Sequence, residues 1–188
     1  MMNWMIAAIL ICGASMVSSC FYVDNPVETI PVKCTNYSVS FKFDAPAENN
    51  AFFQTKYAWW SGDTQHGPIG VYGTFVSQTY PVTENITFPA KEAFYLHYKV
   101  KDVELTGNYT LSSKGEYTVT SYDANGNVLD TKKHEWDLNQ GGAATAADLD
   151  LAKITAYVEL LVSIAEDGTI TLTNNSMKED ESLSGIVW

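Results

Sequence analysis

Apolar and polar positions alternate along much of the chain. Tyr37, Val39, Phe41 and Phe43 take turns with Ser38, Ser40 and Lys42, and a period of two marks a strand with one buried face. Residues 32–43 are therefore predicted as a strand. Phe94, Leu96, Tyr98 and Val100 alternate with Tyr95, His97, Lys99 and Lys101, which puts His97 on the solvent face with the lysines. Tyr117, Val119 and Ser121 alternate with Thr118, Thr120 and Tyr122 and run into Asp123-Ala124-Asn125-Gly126. The Asn-Gly pair suits a hairpin turn that needs positive φ, with Val128 to Trp136 as the returning strand.

Other stretches are read from punctuation and ring content. Asp44 to Asn50 is a predicted loop. In Ala51 to Trp60, Phe53, Tyr57 and Trp59 share one strand face and Phe52 and Trp60 the other, so both faces carry large rings. Ser61 to Pro68 is a predicted polar loop, Val71 to Tyr80 a strand, and Ile86 to Phe88 a short one. Asn139 to Asp148 is a Gly/Ala-rich linker. Ile154, Ala156, Val158, Leu160, Val162 and Ile164 alternate strictly, although Leu151, Ile154, Val158, Leu161 and Ala165 also fit a helical stripe. Glu166-Asp167-Gly168, followed by alternating Ile170 and Leu172, favours a hairpin, so strand is chosen over helix for 149–165. The tail from Lys178 to Trp188 is a charge cluster followed by Ile186-Val187-Trp188, either solvated or a terminal strand. The fold class expected is all-β: an antiparallel β-sandwich of roughly eight to ten strands over residues 32–176, with a possible sub-boundary near 139–148.

The first residues follow a different pattern. Met5 to Cys12 is an apolar run followed by small residues and Cys20. A secretory signal needs an apolar core of roughly 7–15 residues, whereas a membrane span takes about 20. Val17-Ser18-Ser19-Cys20 resembles the lipobox of bacterial lipoproteins, although Leu is more usual where Val17 stands and the positive start is missing. The resemblance implies that residues 1–19 are a signal peptide and that Cys20 is lipidated. It further implies that 20–31, broken by Asp24-Asn25-Pro26 and Pro31, link the anchor to the domain. Gly115-Glu116-Tyr117-Thr118-Val119 through Asn125-Gly126-Asn127 resembles the last hairpin of bacterial immunoglobulin-like modules. Together they resemble the small Bacteroidota lipoproteins that carry immunoglobulin-like domains. The location so implied is the outer membrane, on its periplasmic or its cell-surface face.

Composition narrows the function. The net charge is −11, and no Arg is present. Nucleic-acid binding needs a basic face and favours the guanidinium fork, so that class is excluded. An acidic surface opposes docking on anionic headgroups, so membrane attachment falls to lipid on Cys20. Cys34 reads either as a small core residue or as a disulfide partner of Cys20, and the bond is hard to combine with acylation.

Candidate chemistry is sparse. Tyr57, Trp59, Trp60 and Tyr72 are the candidate ligand-binding residues, because sugars present apolar C–H faces to flat rings. The competing reading puts the same rings in the core, where they bury large areas. Gly62 to Gly67 is polar and suits a pocket wall. Asp123, Asn125, Asn127 and Asp130 loosely resemble a calcium loop, but the distal Glu is missing and the turn explains them. The histidines show no metal-ligand spacing, and no nucleophile motif is present. No catalytic residue, metal or cofactor is expected. The function expected is an envelope-anchored lipoprotein with a non-catalytic binding or structural role, its partner a glycan or an envelope protein. The alternatives are a pilus-like subunit joining by strand addition and a glycan-active enzyme.

Overall fold

The computed structural model describes residues 31–71, 73–101, 107–143 and 157–176. The signal segment, Cys20, Tyr72, the stretch 144–156 and the tail 177–188 lie outside the described residues.

Among the described residues the strands are β1 (Asn36–Asp44), β2 (Phe53–Ser61), β3 (Thr64–Val71), β4 (Phe75–Val82), β5 (Ala90–Val100), β6 (Asn108–Tyr122), β7 (Val128–Ala143), β8 (Tyr157–Ile164) and β9 (Ile170–Asn174). One sheet has the order β4-β1-β6-β7 and the other β3-β2-β5-β8-β9. Every pairing is antiparallel. The two sheets pack face to face as the expected sandwich, since the apolar half of each alternating strand has only the opposite sheet to cover it.

Rings from both sheets fill the core. Phe41 of β1 lies 4.8 Å from Phe94, 5.7 Å from Tyr57 and 5.6 Å from Trp59 across the interface. Tyr80 of β4 stacks on Trp59 at 4.8 Å. Fully burying a Phe-sized side chain stabilises by about 1.5–3 kcal/mol, so this cluster is the main cohesive element. Gly115 has a packing reason: a Cβ there would stand 2.3 Å from Cζ2 of Trp136 and 2.6 Å from Cβ of Phe43. Its bare backbone lets the Trp136 ring lie flat across β6, where Nε1 donates to Ser113 Oγ at 3.2 Å.

Several sequence expectations are corrected. The polar stretch from Ser61 is a tight turn at Gly62-Asp63, after which Thr64 to Val71 returns as β3. Gly67 and Pro68 are tolerated because, among the described residues, β3 pairs only with β2 and is an edge strand, where a missing N–H breaks no ladder. The register shifts between Tyr57 and Trp59, opposite this Gly-Pro pair. Ile86 to Phe88 forms no strand; both residues pack on the core from the β4–β5 connection. Residues 139–143, expected to begin a linker, continue β7 along residues 108–112 of β6. His97 is half-buried, not a surface residue. Alternation was decisive at 157–164, which is strand and pairs with β9. The predicted hairpin also forms, as β6 and β7.

Candidate functional site

The outer face of the five-stranded sheet holds a groove of about 490 Å³. Its shape follows from strand register. Trp60 of β2 stands opposite Ala93 of β5, which stands opposite Leu161 of β8, which stands opposite Thr173 of β9. Neighbouring strands are about 4.8 Å apart, so Trp60 and Leu161 flank a hollow roughly 10 Å wide whose floor is the methyl group of Ala93. Tyr95, two residues along β5, closes one side, with its ring edge-on to Trp60 at 5.1 Å. Ser163 and Thr171 form the opposite side and are themselves a cross-strand pair. Trp60 and Tyr95 are half-buried, and Leu161 is exposed. The result is an aromatic corner bordered by hydroxyls, the mixture of apolar walls and a few polar groups that suits a small organic ligand.

The candidate rings are thus separated. Tyr57 and Trp59 face inward and are buried between the sheets, Tyr57 accepting a 3.2 Å hydrogen bond from Gln78 Nε2. Trp60, one residue on, points outward, as the strand period dictates. Tyr72 lies outside the described residues. Of the described three, Trp60 alone presents its ring to the groove, and its partners there are Tyr95, Ala93 and Leu161.

A second, more polar pocket of about 520 Å³ opens at the end of the sandwich where β1 and β5 begin. Tyr37, Ser61, Asp63, Glu84, Asn85 and Thr87 are among its lining residues. Asn85 adopts the left-handed conformation at φ 57°, which Asn tolerates better than most residues. Behind Tyr37 lies Glu92, a carboxyl on the inward face of β5 and only 4% exposed. Tyr37 Oη donates to Glu92 Oε1 at 2.6 Å. Burial pushes the Glu92 carboxyl above its ordinary value, against the opposing pull of hydrogen bonds from Tyr37 and Ser61. Burial, with Glu92 beside it, also drives the Tyr37 phenol far up. Glu92 was legible in principle, because it stands in phase with Phe94, Leu96 and Tyr98, where a glutamate has to be paired.

The remaining candidates are accounted for locally. The Asp123 carboxylate accepts backbone N–H groups of Asn125 and Asn127, each at 2.8 Å, and the Asn127 side chain at 2.8 Å. These bonds hold it below its ordinary value and build the turn. Among the described residues no cluster of His, Cys, Asp or Glu is arranged for a metal. Cys34 is a buried free thiol raised by burial, hence poorly nucleophilic. His97 is pushed down to about 4 by burial first and Lys99 second, so it is neutral near pH 7. Tyr95 is raised by burial and then by Glu159, its cross-strand neighbour. No helix of the described residues is long and apolar enough to cross a membrane. Comparison with protein-family models, curated proteins and solved structures finds no match to this chain.

Proposed function

We propose that the chain is a lipid-anchored protein of a bacterial envelope whose sandwich domain holds a glycan without transforming it. The observation that carries this reading is the hollow over Ala93, walled by Trp60, Tyr95 and Leu161 and bordered by Ser163, Thr171 and Thr173. Flat rings take the C–H face of a sugar, and hydroxyls exchange hydrogen bonds with its edge. A non-catalytic role is supported by the groove's acid content. Glu92 is the only carboxyl among the described residues that line it, and it is engaged by Tyr37. Anchoring rests on the Cys20 motif. Each acyl CH₂ buried adds about 0.8 kcal/mol, so several chains on one cysteine hold the domain without protein contact.

Two measurements test the two halves. In a glycan array and a pull-down on insoluble polysaccharide, the wild type is retained and Trp60→Ala is lost from the bound fraction with its melting temperature unchanged. Binding that ignores Trp60, or no binding to any glycan, removes the glycan reading. Mass spectrometry of the native protein should find an acylated Cys20 at the N-terminus. An unmodified terminus, or residues 1–19 still attached, removes the anchor.

Assembly by strand addition is the second reading. It is favoured by β4, an edge strand whose Phe75 is 65% exposed. Deleting residues 183–188 should then abolish self-association and leave folding intact.

A further inference from the structure

Resting on the glycan reading, we propose that the Trp60 groove and the polar end pocket are consecutive subsites of one track, and that the ligand is a chain of several neutral sugar units. The two hollows are contiguous. Gly62 and Lys91 line both, one from the β2–β3 turn and the other from the start of β5. The turn is pinned there: Gly62 N donates to Lys91 O at 2.8 Å. Among the described residues other than its two chain neighbours, a Cβ at Gly62 would meet nothing within 4 Å, so the backbone at this corner is open on that side.

The two ends of the track differ in chemistry, as a polymer site would need. The groove offers ring faces and one methyl floor, which hold a sugar by stacking. The end pocket offers Asp63, Glu84, Asn85 and Thr87, groups that accept and donate hydrogen bonds to hydroxyls. Charge selects among chains. Among the described residues, Asp63 and Glu84 line the pocket with Lys91 as its single lysine, on a protein of net charge −11. A polyanionic glycan is therefore disfavoured, and neutral hexose or N-acetylhexosamine units fit. Each hollow falls in the usual size range of a complete small-molecule site, so filling both takes more than one or two rings.

The test measures affinity of the full chain for β-1,4-linked glucose and N-acetylglucosamine oligomers of two to six units, by calorimetry. The expected result is a rise of at least tenfold between two and five units for one of the series. The exposed pair Asp63→Ala/Glu84→Ala should remove that rise and leave disaccharide affinity unchanged, whereas Trp60→Ala should weaken every length. Circular dichroism and the melting temperature confirm that the variants fold. Affinity independent of length, with Trp60 still required, overturns the track and leaves the glycan reading standing. Binding at no length, or binding indifferent to Trp60, overturns both.

Discussion

The outer faces of the two sheets are built on the same strand geometry and carry opposite surfaces. On the four-stranded sheet, Ser38, Ser40 and Lys42 stand opposite Thr120, Thr118 and Glu116, which stand opposite Thr131, Lys133 and Glu135. Ion pairs run across this face: Lys42 to Glu116 at 2.8 Å, Lys133 to Glu116 at 2.8 Å and Lys133 to Glu135 at 2.6 Å. Such a ladder keeps a sheet wet and discourages association, and water screens its charges so far that it adds little to stability. On the five-stranded sheet Trp60, Ala93, Tyr95 and Leu161 form an apolar patch, with Lys91, Ser163 and Thr171 at one end and Lys56, His97 and Glu159 at the other. Trp60 beside Ala93 leaves a ring-walled concavity, whereas the hollow of about 660 Å³ on the four-stranded sheet is bordered mainly by charged side chains, Lys42, Asp44, Lys114, Glu116, Glu135 and Asp137. The difference teaches that the side chains walling a hollow, rings in one case and solvated charges in the other, set what it can hold.

Both faces depend on the core between them, and the largest effect is expected there. Gly115→Ala forces the Trp136 ring and the Phe43 side chain apart, and overpacking of this kind costs about 1–3 kcal/mol. A denaturant midpoint unchanged by the substitution would mean that the Trp136 ring does not lie across β6. The comparison itself is tested by filling each face. Ala93→Phe should occupy the groove floor and lower glycan affinity at least tenfold, about 1.4 kcal/mol, with stability preserved. Ser40→Phe on the other face should leave binding unchanged. Equal losses from both would show that the groove is not the site.

A smaller, pH-dependent effect is expected at Glu92. Its carboxyl is raised above the ordinary value of 4.5, so the folded chain keeps a proton that the unfolded chain has released. The contribution of Glu92 to stability is therefore full below that ordinary value and declines as pH rises through the folded value. Glu92→Gln keeps an acceptor for Tyr37 and never ionises. Its melting temperature relative to wild type should increase from pH 4 to pH 8, and a difference constant across that range would refute the assignment. The smallest effect belongs to the wet face. Glu116→Gln should leave the melting temperature unchanged within error at physiological salt, since both of its lysine partners are solvent-screened.

The pattern of residues carried the strands well where alternation was strict. β1, β5 and β6 each bury one parity of side chain, as does β8 apart from Glu159, and that parity is visible in the order of residues. It was less reliable at 61–68, because Gly and Pro weigh against a strand in any local reading, and only an unpaired edge makes them harmless. Trp60 was legible as a ring on the face opposite Trp59. Ala93 was not legible as a floor, since an alanine in a strand signals nothing until Trp60 and Leu161 stand on either side of it.

For β1, β5, β6 and β8, strand identity and the inward face were set by the sequence alone, because a period of two is a local property of the backbone. The order of the strands, the side of each sheet that meets the other, and the register joining Trp60, Ala93 and Leu161 were decided only in three dimensions. Those depend on pairings between residues far apart in the chain, and the energy that selects them appears when the rings of Phe41, Tyr57 and Phe94 close on one another.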